Sequence, residues 1–316
     1  MNAIERLRAP WTAPVVPQDI PHGDMPGDKV VIGETHIKKA AVVFDAIRPM
    51  IAEAMEGSAS ARCVISVCGG SGVGKSETAS LISYFLREMG IGSYTLSGDN
   101  YPHRIPMDND AERMRVYRNG GLRGLVASGV NPAQHRDTLL ALWADETDAD
   151  PAVCQMHPWM CVYQKAGRCR LSEYLGSQQE INFDEIGDIV ARFKQGAQSL
   201  YLKRMGRERE ALWYDEVDMR DVQVLVIEWT HGNSDHYQGV DIPVLLSSTP
   251  AETLAHRRAR NRDGRPDAPF ITMVLGIEQR MLEAQAHKAR VILSKAGEAL
   301  TYAQFRQAMA SEEGNA

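Results

Sequence analysis

The sequence predicts an α/β fold: a doubly wound parallel sheet of about five strands with helices on both faces. Three observations carry that expectation. Short runs rich in β-branched and aliphatic residues recur at 64–67, 93–97, 222–227, 241–248 and 290–293, and each reads as a buried strand. Apolar stripes at helical spacing separate most of them. The first run stops at Cys68 and enters Gly69-Gly70-Ser71-Gly72-Val73-Gly74-Lys75-Ser76, with a helical pattern directly behind it.

Composition narrows the class. At 316 residues the chain is long enough for one large domain or about two, with 44% hydrophobic and 24% charged residues. A net charge of −6 gives no reason to expect nucleic acid as a partner. No apolar run approaches the roughly 20 residues of a membrane span. The first residues, MNAIERLRAPWTAP, contain charges and prolines but no apolar signal core. Five cysteines, an odd number, argue against a disulfide framework. The expectation is a cytoplasmic protein with no membrane contact.

Residues 1–30 carry Pro10, Pro14, Pro17, Pro21 and Pro26. That spacing excludes a regular helix and predicts an extended arm, draped over its own domain or over a partner subunit. Residues 34–56 present Ile37, Ala41, Phe44, Ile47, Ile51 and Met55 at helical spacing, with Thr35 as N-cap and Pro49 expected to kink or divide the helix. Residues 1–60 thus read as a proline-rich arm and a helix packed on the core, and 61–316 as the main unit.

Strand, glycine loop and helix in that order make a phosphate-binding loop. Glycines let successive N–H groups converge on phosphate oxygens, and the helix start adds partial positive charge. Residues Gly69, Gly70, Ser71, Gly72, Val73, Gly74, Lys75, Ser76 and the adjoining Glu77 form the expected nucleotide-binding set. Lys75 is placed to reach the β- and γ-phosphates, and the Ser76 hydroxyl to bind Mg²⁺. The next strand, 93–97, ends in Gly98-Asp99-Asn100-Tyr101. A carboxylate just past the carboxyl end of a parallel strand faces the ligand crevice, where Asp99 can accept a proton from an attacking hydroxyl. Its bland alternative is an Asp closing a turn.

Residues 108–125 read as a helix whose Arg113, Arg115, Arg118 and Arg123 mostly form a solvated face, one or two of them within reach of an anionic substrate. Cys154, His157, Cys161 and Cys169 are four potential zinc ligands in a spacing that matches no common finger, so reduced buried cysteines are the expectation. An apolar helical pattern from Ile181 to Phe193 ends near Gly196. The strand 222–227 ends in Glu228, the form of a Walker-B strand whose carboxylate orients Mg²⁺ or its water. Arg257, Arg258, Arg260, Arg262 and Arg265 then crowd a polar stretch suited to a mobile lid, the alternative being a surface charge run.

Together these pieces resemble the uridine kinase and phosphoribulokinase family of P-loop kinases. GGSGVGKS is similar to that family's phosphate loop. GDNY (98–101) is similar to its D-x-F-Y segment, with Asn100 where Phe is usual. FDEIGDIVARFKQG (183–196) with Tyr214-Asp215 resembles its helix, K-x-G and Y-D. IEWTHG (227–232) stands where the family has E-G, with Trp229 replacing Gly, and RRARNRDGR (257–265) is similar to its lid. The resemblance implies a P-loop NTPase fold with an inserted substrate cap at about 126–180. It implies ATP and Mg²⁺, and phosphoryl transfer to a hydroxyl of a small molecule: a nucleoside, sugar, sugar phosphate or hydroxy acid. Asp99 would be the base, with Lys75, Glu228, Arg258 and Arg262 completing the catalytic set and Ser76 and Glu228 holding the metal. Substrate contacts would come from Tyr101, His103, Arg104, Tyr214, Asp215 and His231. A homodimer fits the same reading. The competing class is an ATP-hydrolysing switch or chaperone acting on a protein partner; no N/T-K-x-D segment of a guanine-specific switch occurs.

Overall fold

The computed structural model describes residues 1–28, 30–208, 210–260 and 267–313. The chain opens with a short helix, α1 (Ala3–Arg8), which fits into the one proline-free stretch before Pro10. Its start is a reciprocal cap: Asn2 accepts from the Glu5 N–H and Glu5 from the Asn2 N–H, both at 2.9 Å. The expectation of no regular helix before residue 30 therefore fails for these six residues and stands beyond them. The arm drapes over its own domain. Trp11 packs against Phe44 and Phe85, at 4.8 and 5.3 Å between ring centres.

Helix α2 (Glu34–Gly57) starts from Gly33, not Thr35; the Gly33 N–H donates to His36 Nδ1 at 3.2 Å. It runs undivided through Pro49, so of the expected kink or division the division does not occur. Burial explains this: Ile47 on one side of the proline and Ile51 and Ala52 on the other are fully buried against the sheet, which holds the axis across the missing hydrogen bond.

The sheet has the order β2 (Ser93–Ser97), β5 (Val224–Glu228), β1 (Cys63–Gly69), β6 (Ile242–Leu246), β7 (Val291–Leu293), β8 (Ala299–Leu300). The first five strands are parallel, as predicted, and the two-residue β8 adds an antiparallel edge. Helix α3 (Lys75–Glu88) leaves the central strand through the glycine loop. Every residue of β1 and β5 is buried, which is why their sequences are continuous apolar runs and not alternating ones. The register pairs Val67 with Glu228 and Ser97 with Glu228, so all three carboxyl ends meet in one place.

The predicted helix 108–125 is α4 (Pro106–Ala127), and the expected insertion at about 126–180 is helical as well: α5 (Arg136–Ala144), α6 (Val153–Met156) and α7 (Trp159–Tyr174). The cap therefore draws in α4, ahead of residue 126. Helices α4 and α7 pack closely because glycines line the seam: a Cβ on Gly121 would lie 2.5 Å from the Tyr163 ring, and one on Gly167 would lie 2.7 Å from Tyr117. Helix α10 (Pro269–Gln285) supplies Phe270, Val274 and Ile277 to the same apolar cluster. Helix α8 (Phe183–Lys194) follows the predicted stripe. Behind it stands an unpredicted antiparallel hairpin, β3 (Ser199–Met205) with β4 (Leu212–Asp218). Helices α9 (Pro250–Arg260) and α11 (Tyr302–Glu313) complete the chain. Among the described residues no helix is long and apolar enough to cross a membrane.

Candidate active site

A cleft of about 400 Å³ opens where the carboxyl ends of β1, β2 and β5 meet the cap. A wider depression of about 1000 Å³, lined by Arg62, Gly92 and Gln223, lies at the amino ends of the strands, far from the glycine loop. The glycine loop, Asp99 and Glu228 line the smaller one.

The loop builds its floor. Gly72 and Gly74 take φ of 77° and 100°, a region that side-chain-bearing residues avoid, and Gly74 caps α3. Ser71, Gly72, Lys75 and Ser76 line the cleft. Lys75 Nζ donates to Gly70 O at 3.1 Å, across the mouth of its own loop. Gly69 and Gly70 shape the turn, Val73 is buried in the core, and Glu77 is buried in the first turn of α3 outside the cleft lining.

Two carboxylates face this floor. Ser76 Oγ donates to Glu228 Oε2 at 3.1 Å, and Ser97 Oγ to Oε1 at 2.6 Å. Burial first, and the neighbouring Asp99 second, push the Glu228 carboxyl up to about 8. The Glu228 carboxylate and the Ser76 hydroxyl beside the glycine loop could serve as donors to a divalent cation, whose charge would reverse the shift. Asp99 lines the cleft at the end of β2, one strand away.

The cap supplies the far wall. Arg113 Nε donates to Glu180 Oε1 at 2.5 Å, and its other nitrogens lie 3.7 Å from Glu278 and 3.6 Å from Asp110. Glu180 also accepts from Asn109 Nδ2 at 3.0 Å and the Gly176 N–H at 2.7 Å; despite its burial, Arg113 and that N–H keep its carboxyl below the usual range. Burial pushes Glu278 up. His231 lines the cleft, and burial lowers it to about 4, so it is neutral at pH 7.

The structure thus gathers Ser71, Gly72, Lys75, Ser76, Asp99, Glu228 and His231 from the expected set. It does not gather the rest. Tyr101 is fully buried beneath the cleft. His103 bonds Gln178 O on the outside, and Arg104 bonds Tyr174 Oη. Tyr214 donates to Glu185 and Asp215 accepts from Arg204, both on the hairpin and outside the lining. Arg258, 58% exposed, pairs with Asp267 at 2.5 Å, while its neighbour Arg257 is 4% exposed and lines the cleft with its stem against Gly72. The helical turn of α9 sets this choice: adjacent residues cannot face the same side. Arg262 and Arg265 lie outside the described residues. Arg113, Glu180 and Glu278 escaped the sequence reading because their partners are brought together only by tertiary packing. Cys161 and Cys169 are exposed on the outer face of α7, not buried as expected, and Cys154 is half-buried beside Gln164. Among the described residues no cluster of three or more His, Cys, Asp or Glu is arranged to hold a metal.

No family model matches the chain. A curated relative, the bifunctional alpha-galactosidase/sucrose kinase AgaSK of Mediterraneibacter gnavus, is 36% identical over 263 residues, 83% of this chain. The chain spans 23% of that protein's length. Among solved structures, a protein of Silicibacter sp. TM1040 provisionally named as a fructose transport system kinase superposes at a TM-score of 0.45 with 14% identity, covering 80% of this chain and 96% of its own. A possible uridine kinase of Bacillus stearothermophilus gives 0.39 and 16%, covering 78% and 98%.

Proposed function

We propose that this chain is an ATP-dependent kinase that transfers the γ-phosphoryl group to a hydroxyl of an uncharged, hydroxyl-rich small molecule of the sugar class. The observation that carries the reading is the convergence of the glycine loop, Lys75, Ser76 and Glu228 with a second carboxylate, Asp99, across one cleft. The kinase activity in the name of the 36%-identical relative supports it. Residues 61–316 would form the kinase unit, with the α4–α7 helices as acceptor cap. Five free cysteines suit a reducing cytoplasm.

In this reading the loop N–H groups and Lys75 hold the β- and γ-phosphates. Ser76 and Glu228 would hold Mg²⁺, which supplies charge neutralisation on the phosphates. Asp99 takes the proton of the acceptor hydroxyl. The acceptor oxygen bonds to the γ-phosphorus as the bond to the β,γ-bridging oxygen breaks, and ADP leaves. Arg257 faces the loop from α9, suited to charge on the migrating group. The acceptor wall favours a neutral ligand: Arg113 is already surrounded by Glu180, Glu278 and Asp110, so it has little charge to offer an anion, while carboxylates accept hydrogen bonds from hydroxyls.

The test is acceptor-stimulated ADP release over a panel of mono- and disaccharides (sucrose and fructose among them), nucleosides, sugar phosphates and hydroxy acids. Stimulation by a neutral sugar, absent in Lys75→Ala, is expected. Turnover equal with and without every acceptor would overturn the kinase assignment.

A further inference from the structure

The sequence leaves the resembled pattern at Asn100, next to Asp99 in the chain, and at Trp229, which packs on Gly98. Gly98 lies against Trp229 so tightly that a Cβ there would fall 2.1 Å from the indole Cγ. Asn100 reaches the other way, into a buried network centred on Asp24 of the N-terminal arm. Asp24 Oδ1 accepts from the Ser97 N–H at 2.8 Å and from Asn100 Nδ2 at 3.1 Å. Its Oδ2 accepts from Tyr94 Oη at 2.9 Å and Arg204 Nη1 at 2.7 Å. Asn100 Oδ1 in turn accepts from the Met205 N–H at 3.0 Å, tying in the hairpin.

We propose that Asp24 is a positioning residue for Asp99, and that the N-terminal arm is a working part of the acceptor site. The role of Asp99 rests on the kinase reading. Four donors converge on one side chain, and two of them belong to the residues that bracket the Gly98-Asp99 turn. Only an acceptor-only group with two oxygens satisfies all four. An asparagine, whichever way its amide is turned, sets an NH₂ against at least one group that can only donate: the Ser97 N–H and the Asn100 amide on one side, the Arg204 guanidinium on the other. Anchoring the arm does not need this carboxylate, because Leu7, Trp11 and Ile20 pack on the core and Tyr84 Oη bonds Val15 O at 3.0 Å. A carboxylate buried to 9% exposure is a costly anchor where apolar ones already serve. The arm meets the site on both sides of it: a Cβ on Gly23 would lie 3.7 Å from Glu228 Oε1, and Met25 and Asp28 line the cleft.

The experiment compares Asp24→Asn, Asn100→Ala and Tyr84→Phe in the full chain with the best acceptor from the panel. Asp24→Asn should lower kcat about 10–100-fold, the range for a lost supporting contact, with the KM for ATP within about twofold of wild type. Asn100→Ala, which removes only the amide, should lower kcat in the same sense and carries the test where Asp24→Asn does not fold. Tyr84→Phe loosens the arm away from the turn and should keep the wild-type kcat. Hydrogen–deuterium exchange over 97–101 should quicken in Asp24→Asn and Asn100→Ala but not in Tyr84→Phe. Wild-type kcat in Asn100→Ala and Asp24→Asn, or an equal loss in Tyr84→Phe, would overturn the proposal. So would unchanged exchange at 97–101, whatever the protein phosphorylates. A wild type that phosphorylates nothing, with the exchange pattern as expected, would sink the kinase reading and leave Asp24 as the residue that fixes the turn.

Discussion

The Ser76 hydroxyl, in the first turn of α3, donates to Glu228 at the last position of β5, 152 residues away in sequence and 3.1 Å away in space. The register that pairs Glu228 with Val67 makes the meeting unavoidable, since Val67 is two residues from the start of the loop.

That contact predicts a shared metal role. Ser76→Ala and Glu228→Gln should each raise the Mg²⁺ concentration needed for half-maximal turnover, while Lys75→Ala should lower turnover by at least about 10². Magnesium titrations of steady-state ADP release measure all three. A wild-type Mg²⁺ requirement in Glu228→Gln removes it from the metal site.

For Asp99 the kinase reading predicts a different task. Asp99→Asn should bind nucleotide with near wild-type affinity by calorimetry and lose acceptor phosphorylation by about 10²–10⁴. Retained transfer would move the base elsewhere in the cleft.

Between the neighbouring arginines the structure makes a sharp choice. Arg257→Ala should lower kcat by about 10²–10³ with a smaller change in the KM for ATP, as for a donor aimed at developing charge. Arg258→Ala removes an exposed ion pair and should change stability by less than about 1 kcal/mol. The same kinetic loss in both would return the role to a diffuse lid charge.

His231 gives a pH dependence of stability. Its folded-state pKa, about 4, lies below the ordinary value of 6.5 because burial disfavours the imidazolium; Arg113, Lys75 and His236 add to this and Glu180 opposes it. Between those values the unfolded chain binds the proton and the folded chain does not. Stability is therefore full above about 6.5 and is lost as pH falls toward about 4. Denaturant midpoints from pH 7 to pH 4 should fall less steeply in His231→Gln. Parallel curves would mean that other groups govern the acid limb.

Gly98 is held by size alone. Gly98→Ala should destabilise by about 1–3 kcal/mol, and Trp229→Leu in the same chain should recover part of that loss. Additive losses would mean that the turn moves away from the indole freely.

The central architecture was legible because its signals are local. Buried parallel strands are short apolar runs, and the loop that follows Val67 is marked by four glycines and a lysine. The hairpin was not legible. Strand β3 is buried on both faces toward its end and β4 is almost wholly exposed, so neither alternates as a half-buried strand should. The cap wall was hidden for another reason: Arg113 and Glu180 lie 67 residues apart and are joined only by the packing of α4 against the chain behind α7. Arg113 looks like its neighbours Arg115 and Arg118 until a tertiary partner singles it out.

The arm joins two parts of the chain that are made far apart in time. Asp24 is 180 residues ahead of Arg204. At the usual ~5–20 residues per second, translation needs on the order of ten seconds to supply that partner, and longer to bring it clear of the ribosome. Until then Trp11 has Phe44 and Phe85 to pack on, and Asp24 has Tyr94, Ser97 and Asn100 but lacks the Arg204 guanidinium. Synthesis order and assembly order are opposed at this end of the molecule. Nascent chains that end before Arg204 should present an arm more open to proteolysis around Asp24, past the Ile20 anchor, than chains that extend well beyond it.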